Sequence, residues 1–312
     1  MNDINFRKPL RSILFVPGNH PRKIEKVFDI GADEIILDLE DAVAIKEKDT
    51  TRECVKNVLK ERSKIIKIPS GYIRVNSLDT NYFFSDIQAI VGPWLTGVVV
   101  PKIETSYDIH TIEWLLSQLE RERGLINGSI DLIPIIETAK GLAQIEEIAE
   151  ASSKTRARRI TFGAGDLTAD MNMRWTNDER ELYHIRGRVV LASNAARLDP
   201  PIDTVHLQLN DLDSFHQSAT RSRDLGFFGK LCIHPKQVKY ANEAFTPSSD
   251  EIERAKLIIS AFNEAENSGS ASIQVDGQFV DYPVFEAAQR TLRGGSCGAR
   301  RQSTSAGAAR SR

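Results

Sequence analysis

Cysteine is scarce in this chain: Cys54, Cys232 and Cys297 are scattered, odd in number and without a Cys-x-x-Cys spacing. Such a set builds neither a disulfide framework nor a zinc cluster, and it suits a reducing, cytoplasmic setting. No apolar stretch approaches the roughly 20 residues needed to span a bilayer, and the N-terminal segment carries no apolar signal run. An excess of one charge is missing too. With 41 basic and 43 acidic residues the net charge is −2, which creates no overall field for nucleic acid or an anionic membrane. Nor is there a Gly-rich dinucleotide turn. These absences leave a cytoplasmic α/β protein acting on small molecules as the expectation.

What is present is organised around Asp131–Asp170. Two apolar runs, Leu132–Ile136 and Ile160–Gly163, are each followed by a carboxylate, Glu137 and Asp166. Between them Ala139–Ala151 has apolar residues at helical spacing, so the stretch predicts strand, helix, strand, a parallel βαβ unit. Both strands of such a unit point the same way, and both carboxylates emerge on one face. A hard divalent cation such as Mg²⁺ asks for one or two carboxylates, several waters and an oxygen-rich substrate. The alternative is that each acid merely caps the helix that follows it.

The same alternation runs through the chain. Strands are predicted at Ser12–Val16, Glu34–Leu39, Tyr72–Val75, Gly97–Val100, the two central runs, Thr204–Leu209 and Lys230–Ile233, each followed by a helical segment. Eight strand-helix units predict a (β/α)₈ TIM barrel over 1–247, whose function sits where strands end. Asp38, Glu40, Asp41, Arg74, Asn76, Lys102, Glu104, Glu137, Asp166 and His234 all fall there. After Asp166 the pattern predicts a polar loop. Residues 248–293 follow as an appendage: a helix Ser249–Asn263, a hinge at Asn267–Ser270, a hairpin on Asp276-Gly277 and a short helix. It is expected to be too small to form a core alone. The Ser-, Gly-, Ala- and Arg-rich tail 294–312 is expected to be disordered.

The motifs RSILFVP (11–17), LDLEDAV (37–43), RVN (74–76), PKIE (101–104), IPIIETAKGL (133–142), FGAGDL (162–167) and IHPKQV (233–238) stand in this order along the chain. With VDGQFVDYP further on, they resemble the citrate lyase β-subunit-like branch of the HpcH/HpaI aldolase family. The resemblance implies a Mg²⁺-dependent lyase that makes or breaks a carbon–carbon bond between an acyl-CoA thioester and a 2-oxo acid, with malyl-CoA or citramalyl-CoA type substrates. It equally implies homotrimers or hexamers, and a C-terminal lid exchanged between subunits. By position Glu137 and Asp166 look like the metal ligands, Arg74 the binder of the oxo-acid oxygens, and Asp281 the acid/base carried on the lid. Glu40 and Asp41 look like residues that orient Arg74 or metal-bound water. Asn76 and Lys102 are candidates for substrate contact, and Arg22 and Lys23 for the CoA phosphates. A malyl-CoA-type thioesterase, a citryl thioester lyase subunit and a non-catalytic acyl-CoA-binding subunit are the alternatives. After Asp166 the family usually continues to a second acid and then a glycine; here Asp170 is followed by Met171-Asn172-Met173, so the loop over the metal is bulkier.

Overall fold

Runs such as GVVV and LIPII are apolar on both faces, which only a strand covered on both sides tolerates. In the computed structural model, which describes residues 10–66 and 70–294, these runs become eight parallel strands. They are β1 (Ser12–Pro17), β2 (Glu34–Asp38), β3 (Tyr72–Arg74), β4 (Gly97–Val100), β5 (Asp131–Ile136), β6 (Thr161–Phe162), β7 (Ile202–Asp203) and β8 (Gly229–Cys232). They pair in sequence order and β8 closes on β1, with Ile13 opposite Leu231, giving a (β/α)₈ barrel. Two compact units follow from the contacts, Met1–Glu243 and Ala244–Arg312. No helix among the described residues is long and apolar enough to cross a membrane.

Side chains alternate across each strand, so every second residue enters the barrel. Ile13, Ile36, Tyr72, Val99, Ile133, Ile135, Ile202 and Leu231 form the interior cluster, with Phe15 packed against it. Two residues further along the same faces come Asp38 on β2, Arg74 on β3 and Glu137 just beyond β5. The guanidinium of Arg74 lies over the Phe15 ring, 5.0 Å from its centroid. The apolar filling therefore ends in a charged upper layer, and this is where the candidate site begins.

The structure corrects four local expectations. The seventh strand is Ile202–Asp203, not Thr204–Leu209. The alternation Val205-His206-Leu207-Gln208-Leu209 imitates a strand, but it is Ile202 and Asp203 that find partners, in Thr161, Gly229 and Lys230. Asp166 is followed not by a loop but by the rest of a short helix, Ala164–Asp170, and stands in its first turn. The helix after β5 breaks at Gln144 into Ala139–Ala143 and Ile145–Ser153. Its first turn is held by Thr138 Oγ1 on the Gly141 N–H and by Asp170 on the Ala139 N–H. The appendage also gathers a small core of its own, Ala255, Ile258, Phe262, Val280 and Ala288.

In that second unit the helix Ser249–Asn267 starts with a capping box between Ser248 and Glu251 and runs through the first residue of the expected hinge. Strands Ile273–Val275 and Gln278–Val280 pair antiparallel across Asp276-Gly277. Both turn residues have positive φ, 49° and 80°, the conformation of a type I′ hairpin turn that Asp-Gly accommodates. A helix over 282–294 follows. The tail expected to be disordered lies, apart from Gly294, outside the described residues.

Sequence patterning gave no warning of a buried charge cluster on the outer side of β7 and β8. Asp203 and Lys230, opposite one another, form an ion pair, and Arg186 joins them through Nε to Asp203 Oδ1 at 2.9 Å. Arg186 also reaches Glu179 at 2.8 Å, and His206 Nδ1 meets the same carboxylate at 2.8 Å. All five side chains are buried. Burial alone would raise the carboxyls of Glu179 and Asp203, but the surrounding cations and hydrogen bonds hold both below their ordinary values. Stabilisation from such groups is complete above the ordinary carboxyl pKa of about 4 and fades as the pH falls below it. Asp203→Ala leaves Lys230 and Arg186 without their shared counter-ion, and we expect it to cost about 3–5 kcal/mol in urea denaturation at pH 7. The difference between variant and parent should shrink as the measurement is repeated towards pH 3.

Candidate active site

The charged upper layer is built from strand ends. Arg74, the last residue of β3, grips Asp38 at the end of β2 with Nε and Nη2, at 2.8 and 2.6 Å. Its Nη1 stands 2.9 Å from Glu40 Oε2 and 3.8 Å from Asp41 Oδ2. Asp38 in turn accepts the backbone N–H of Glu40 at 2.9 Å and of Ala42 at 3.3 Å. The acidic turn LEDAV is thus wound around one guanidinium. Burial alone would favour loss of the arginine's proton, but Asp38, Glu40 and Glu137 hold it firmly charged. Two of its five N–H groups, on Nε and Nη2, are hydrogen-bonded to Asp38, while Nη1 stands beside Glu40 as an ion pair.

A second set of contacts fixes the main chain behind this turn. Lys48 is buried, and its ammonium donates to the carbonyls of Leu39 and Glu40 and to Asn76 Oδ1. Asn76 is buried as well; its amide nitrogen donates to Asp86 and to the Leu39 carbonyl. Asp86 is paired with Arg52 at 2.9 Å. Asn76, expected at the substrate, therefore stands behind the acidic turn with its amide committed to the scaffold. Lys48 and Asp86 were missed because a lysine and an aspartate on helices read as solvated faces in a sequence.

Glu137 sits on the opposite side of the layer and is 3% exposed. Its Oε1 accepts the backbone N–H of Lys102 at 3.0 Å. Its Oε2 lies against Gly163, where a Cβ would come within 2.1 Å. Glycine is required there because the carboxylate fills the space a side chain would take. Three residues on, Asp166 stands close enough for its charge to act on both Glu137 and Lys102. Burial, then the charges of Glu40 and Asp166, push the Glu137 carboxyl up to about 8 against the opposing pull of Arg74 and the Lys102 N–H. Burial also raises Glu40, offset by Arg74 and Lys102.

The remaining predicted residues are placed as follows. Lys102 Nζ reaches Glu40 Oε1 at 3.1 Å rather than Glu104, which pairs with Lys140 at 2.8 Å. Asp41 is more than half exposed at the rim. Arg22 and Lys23 are exposed on the helix Pro21–Val27 and line a surface hollow with His20 and Pro21. The turn leading to that helix is pinned by Gly18, whose N–H donates to the Asp38 carbonyl at 2.9 Å. His234 Nδ1 accepts the Lys236 N–H, a local bond at the start of the helix Pro235–Ala244. Asp281, in the second unit, accepts the Val284 N–H at 3.3 Å and so caps the helix over 282–294.

Five carboxyl groups, Asp38, Glu40, Asp41, Glu137 and Asp166, thus gather around two cations, Arg74 and Lys102. Like charges held this close in a partly buried layer favour a further cation. Glu137 and Asp166 are the pair set apart from the arginine's grip. Among the described residues no group of three or more His, Cys, Asp and Glu side chains converges as a metal cage. A donor set of two carboxylates, without cysteine or histidine, fits a hard, hydrated divalent ion rather than zinc.

Comparison with known proteins assigns the chain to a family. The family model described as HpcH/HpaI aldolase/citrate lyase matches residues 11–235. Citrate lyase subunit beta of Leuconostoc mesenteroides subsp. cremoris is 35% identical over 294 residues, 93% of this chain and 94% of that protein. A (3S)-malyl-CoA thioesterase of Cereibacter sphaeroides is 34% identical over 286 residues, 91% of this chain and 94% of the relative. Among solved structures, the CitE protein of Mycobacterium tuberculosis in complex with magnesium, acetoacetate and coenzyme A superposes with a TM-score of 0.76. It is 26% identical, covering 93% of this chain and 100% of that one. The citrate lyase beta subunit of the same organism complexed with oxaloacetate and magnesium gives a TM-score of 0.64 at 27% identity, covering 78% and 100%. With its barrel, its ordered strand-end motifs and a family match spanning residues 11–235, the chain belongs to the HpcH/HpaI aldolase/citrate lyase family.

Proposed function

We propose that this protein is a Mg²⁺-dependent carbon–carbon lyase acting on a 3-hydroxyacyl-CoA thioester of the malyl-CoA or citramalyl-CoA type. Its products are acetyl-CoA and a 2-oxo acid. The observation that carries the reading is the convergence of Arg74, Glu137 and Asp166 on one barrel rim, in a layer whose acids outnumber its cations. Magnesium in the related CitE complexes supports the choice of metal.

Cleavage requires the 3-hydroxyl to lose its proton, the bond between carbons 2 and 3 to break, and the resulting thioester enolate to gain a proton at carbon. Glu137 and Asp166 would hold the metal, which when bound supplies Lewis-acid polarisation of the hydroxyl and the neighbouring carboxylate oxygens. Arg74, kept charged and oriented by Asp38 and Glu40, offers N–H groups not bonded to Asp38 to a planar carboxylate. We assign the proton transfer at the enolate carbon to Asp281 carried on the C-terminal lid of a neighbouring subunit. The buried Lys48–Asn76–Asp86 set keeps the acidic turn in place while substrate comes and goes. A second reading is thioester hydrolysis, which the likeness to (3S)-malyl-CoA thioesterases supports.

Incubation with (S)-malyl-CoA and (S)-citramalyl-CoA separates the two. Acetyl-CoA with glyoxylate or pyruvate, abolished by EDTA and in Glu137→Ala, is the expected outcome; free CoA with an intact hydroxy acid would establish the thioesterase instead. Asp281→Ala should lose at least about 100-fold in turnover, the usual worth of a general acid–base group, while Mg²⁺ binding measured by calorimetry is unchanged. A pH dependence also follows from Glu137. Below about pH 8 its carboxyl holds a proton that the metal must displace. Apparent Mg²⁺ affinity should therefore rise by up to about tenfold per pH unit from pH 6 and level off above about pH 8. Glu137→Gln should bind weakly at every pH.

A further inference from the structure

Lys102 is one of five described non-glycine residues with a positive φ, 53°, and the only one of them in the charged layer. For a residue with a Cβ this left-handed conformation is disfavoured and persists only where surroundings enforce it. The enforcement is visible. The turn brings the Lys102 N–H onto Glu137 Oε1 at 3.0 Å, while its side chain crosses the layer to Glu40 Oε1 at 3.1 Å. One residue therefore touches both a proposed metal ligand and the acid that faces it.

Glu40 is otherwise well suited to bind a cation. It is 5% exposed, its main chain is fixed by Lys48 on the carbonyls of Leu39 and Glu40, and its charge acts directly on Glu137. Its Oε2 is buried without a hydrogen bond, standing 2.9 Å from Arg74 Nη1 but not aligned with it. One oxygen of this carboxylate is therefore without a hydrogen bond, and the other is held by the ammonium of Lys102.

We propose that Lys102 is a positioning residue that holds Glu40 away from the divalent cation, so that the metal is carried by Glu137 and Asp166 alone. The inference rests on the metal-site reading given above and deepens it. With two carboxylates the ion keeps several exchangeable positions for substrate oxygens. A third would tighten the ion, lower its positive charge and occupy one of those positions. The left-handed backbone is the means: it places the N–H and the ammonium of one residue on two different acids, which a residue in extended conformation would not do.

Mn²⁺ titrated into the full chain, with free ion followed by electron paramagnetic resonance, tests this without recourse to activity. The parent should bind one ion, lost in Glu137→Ala and Asp166→Ala. Lys102→Met should bind Mn²⁺ about tenfold more tightly, since affinity follows the number of charged ligands, and that gain should vanish when Glu40→Gln is added. Lys102→Gly, which takes positive φ without strain, should behave as Lys102→Met does and guards against a distorted turn. Lys102→Arg, which keeps a cation on Glu40, should stay near the parent. Equal tightening in the Glu40 and Glu40→Gln backgrounds would overturn the proposal, because the ammonium would then act only as distant charge; so would no tightening, or tightening in Lys102→Arg. Failure of the parent to bind any ion would instead sink the metal site itself, and this inference with it.

Discussion

The bidentate pair between Arg74 and Asp38 is the interaction on which the upper layer of the barrel depends. It joins the ends of β2 and β3, sits directly above the Phe15 ring, and turns a layer that would be five mutually repelling acids into one centred on a fixed cation. An arginine suits this position better than a lysine, because its planar fork can grip Asp38 side-on and still stand beside Glu40. The deeper reason is location. The layer lies at the boundary between a dry barrel interior and solvent, where charge–charge terms are stronger than in water and each carboxylate must be accounted for.

Around that pair the scaffold is doubly braced. On the β2–β3 side Lys48, Asn76, Asp86 and Arg52 form a buried polar chain behind the acidic turn. On the β7–β8 side Asp203, Lys230, Arg186, Glu179 and His206 tie the outer faces of the strands to the loops above them. Such networks are costly when half satisfied and rigid when complete. Here they brace both sides of the rim, where Glu137 lies against Gly163 and feels the charge of Asp166. The layer is then a balance of charge, with Arg74 and Lys102 both paired to Glu40.

Much of this was legible in the chain. Apolar runs of four to six residues alternating with helical periodicity determined eight strand-helix units, because a strand buried on both faces has no other composition available. The position of Glu137, Asp166 and Arg74 immediately beyond or at the ends of such runs was enough to put them on one rim. Motif order did the same for the family. Where sequence reading failed, the cause was specific: Val205–Leu209 alternates like a strand but pairs with no strand among the described residues, and the residues after Asp166 read as loop although a helix that begins two residues before it runs on to Asp170.

What only the tertiary structure decided is partnership. Nothing in the one-dimensional pattern says that Lys48 is buried, that Asn76 belongs to the scaffold, or that Lys102 chooses Glu40 over the nearer Glu104. Nor does it say that Asp203 and Lys230 neutralise each other across a strand pair. Local sequence determines which face a side chain takes, since that follows from a period of two or 3.6 residues. The identity of its counter-ion depends on barrel closure, which brings together residues tens of positions apart, and on burial, which makes any unpaired charge too costly to leave.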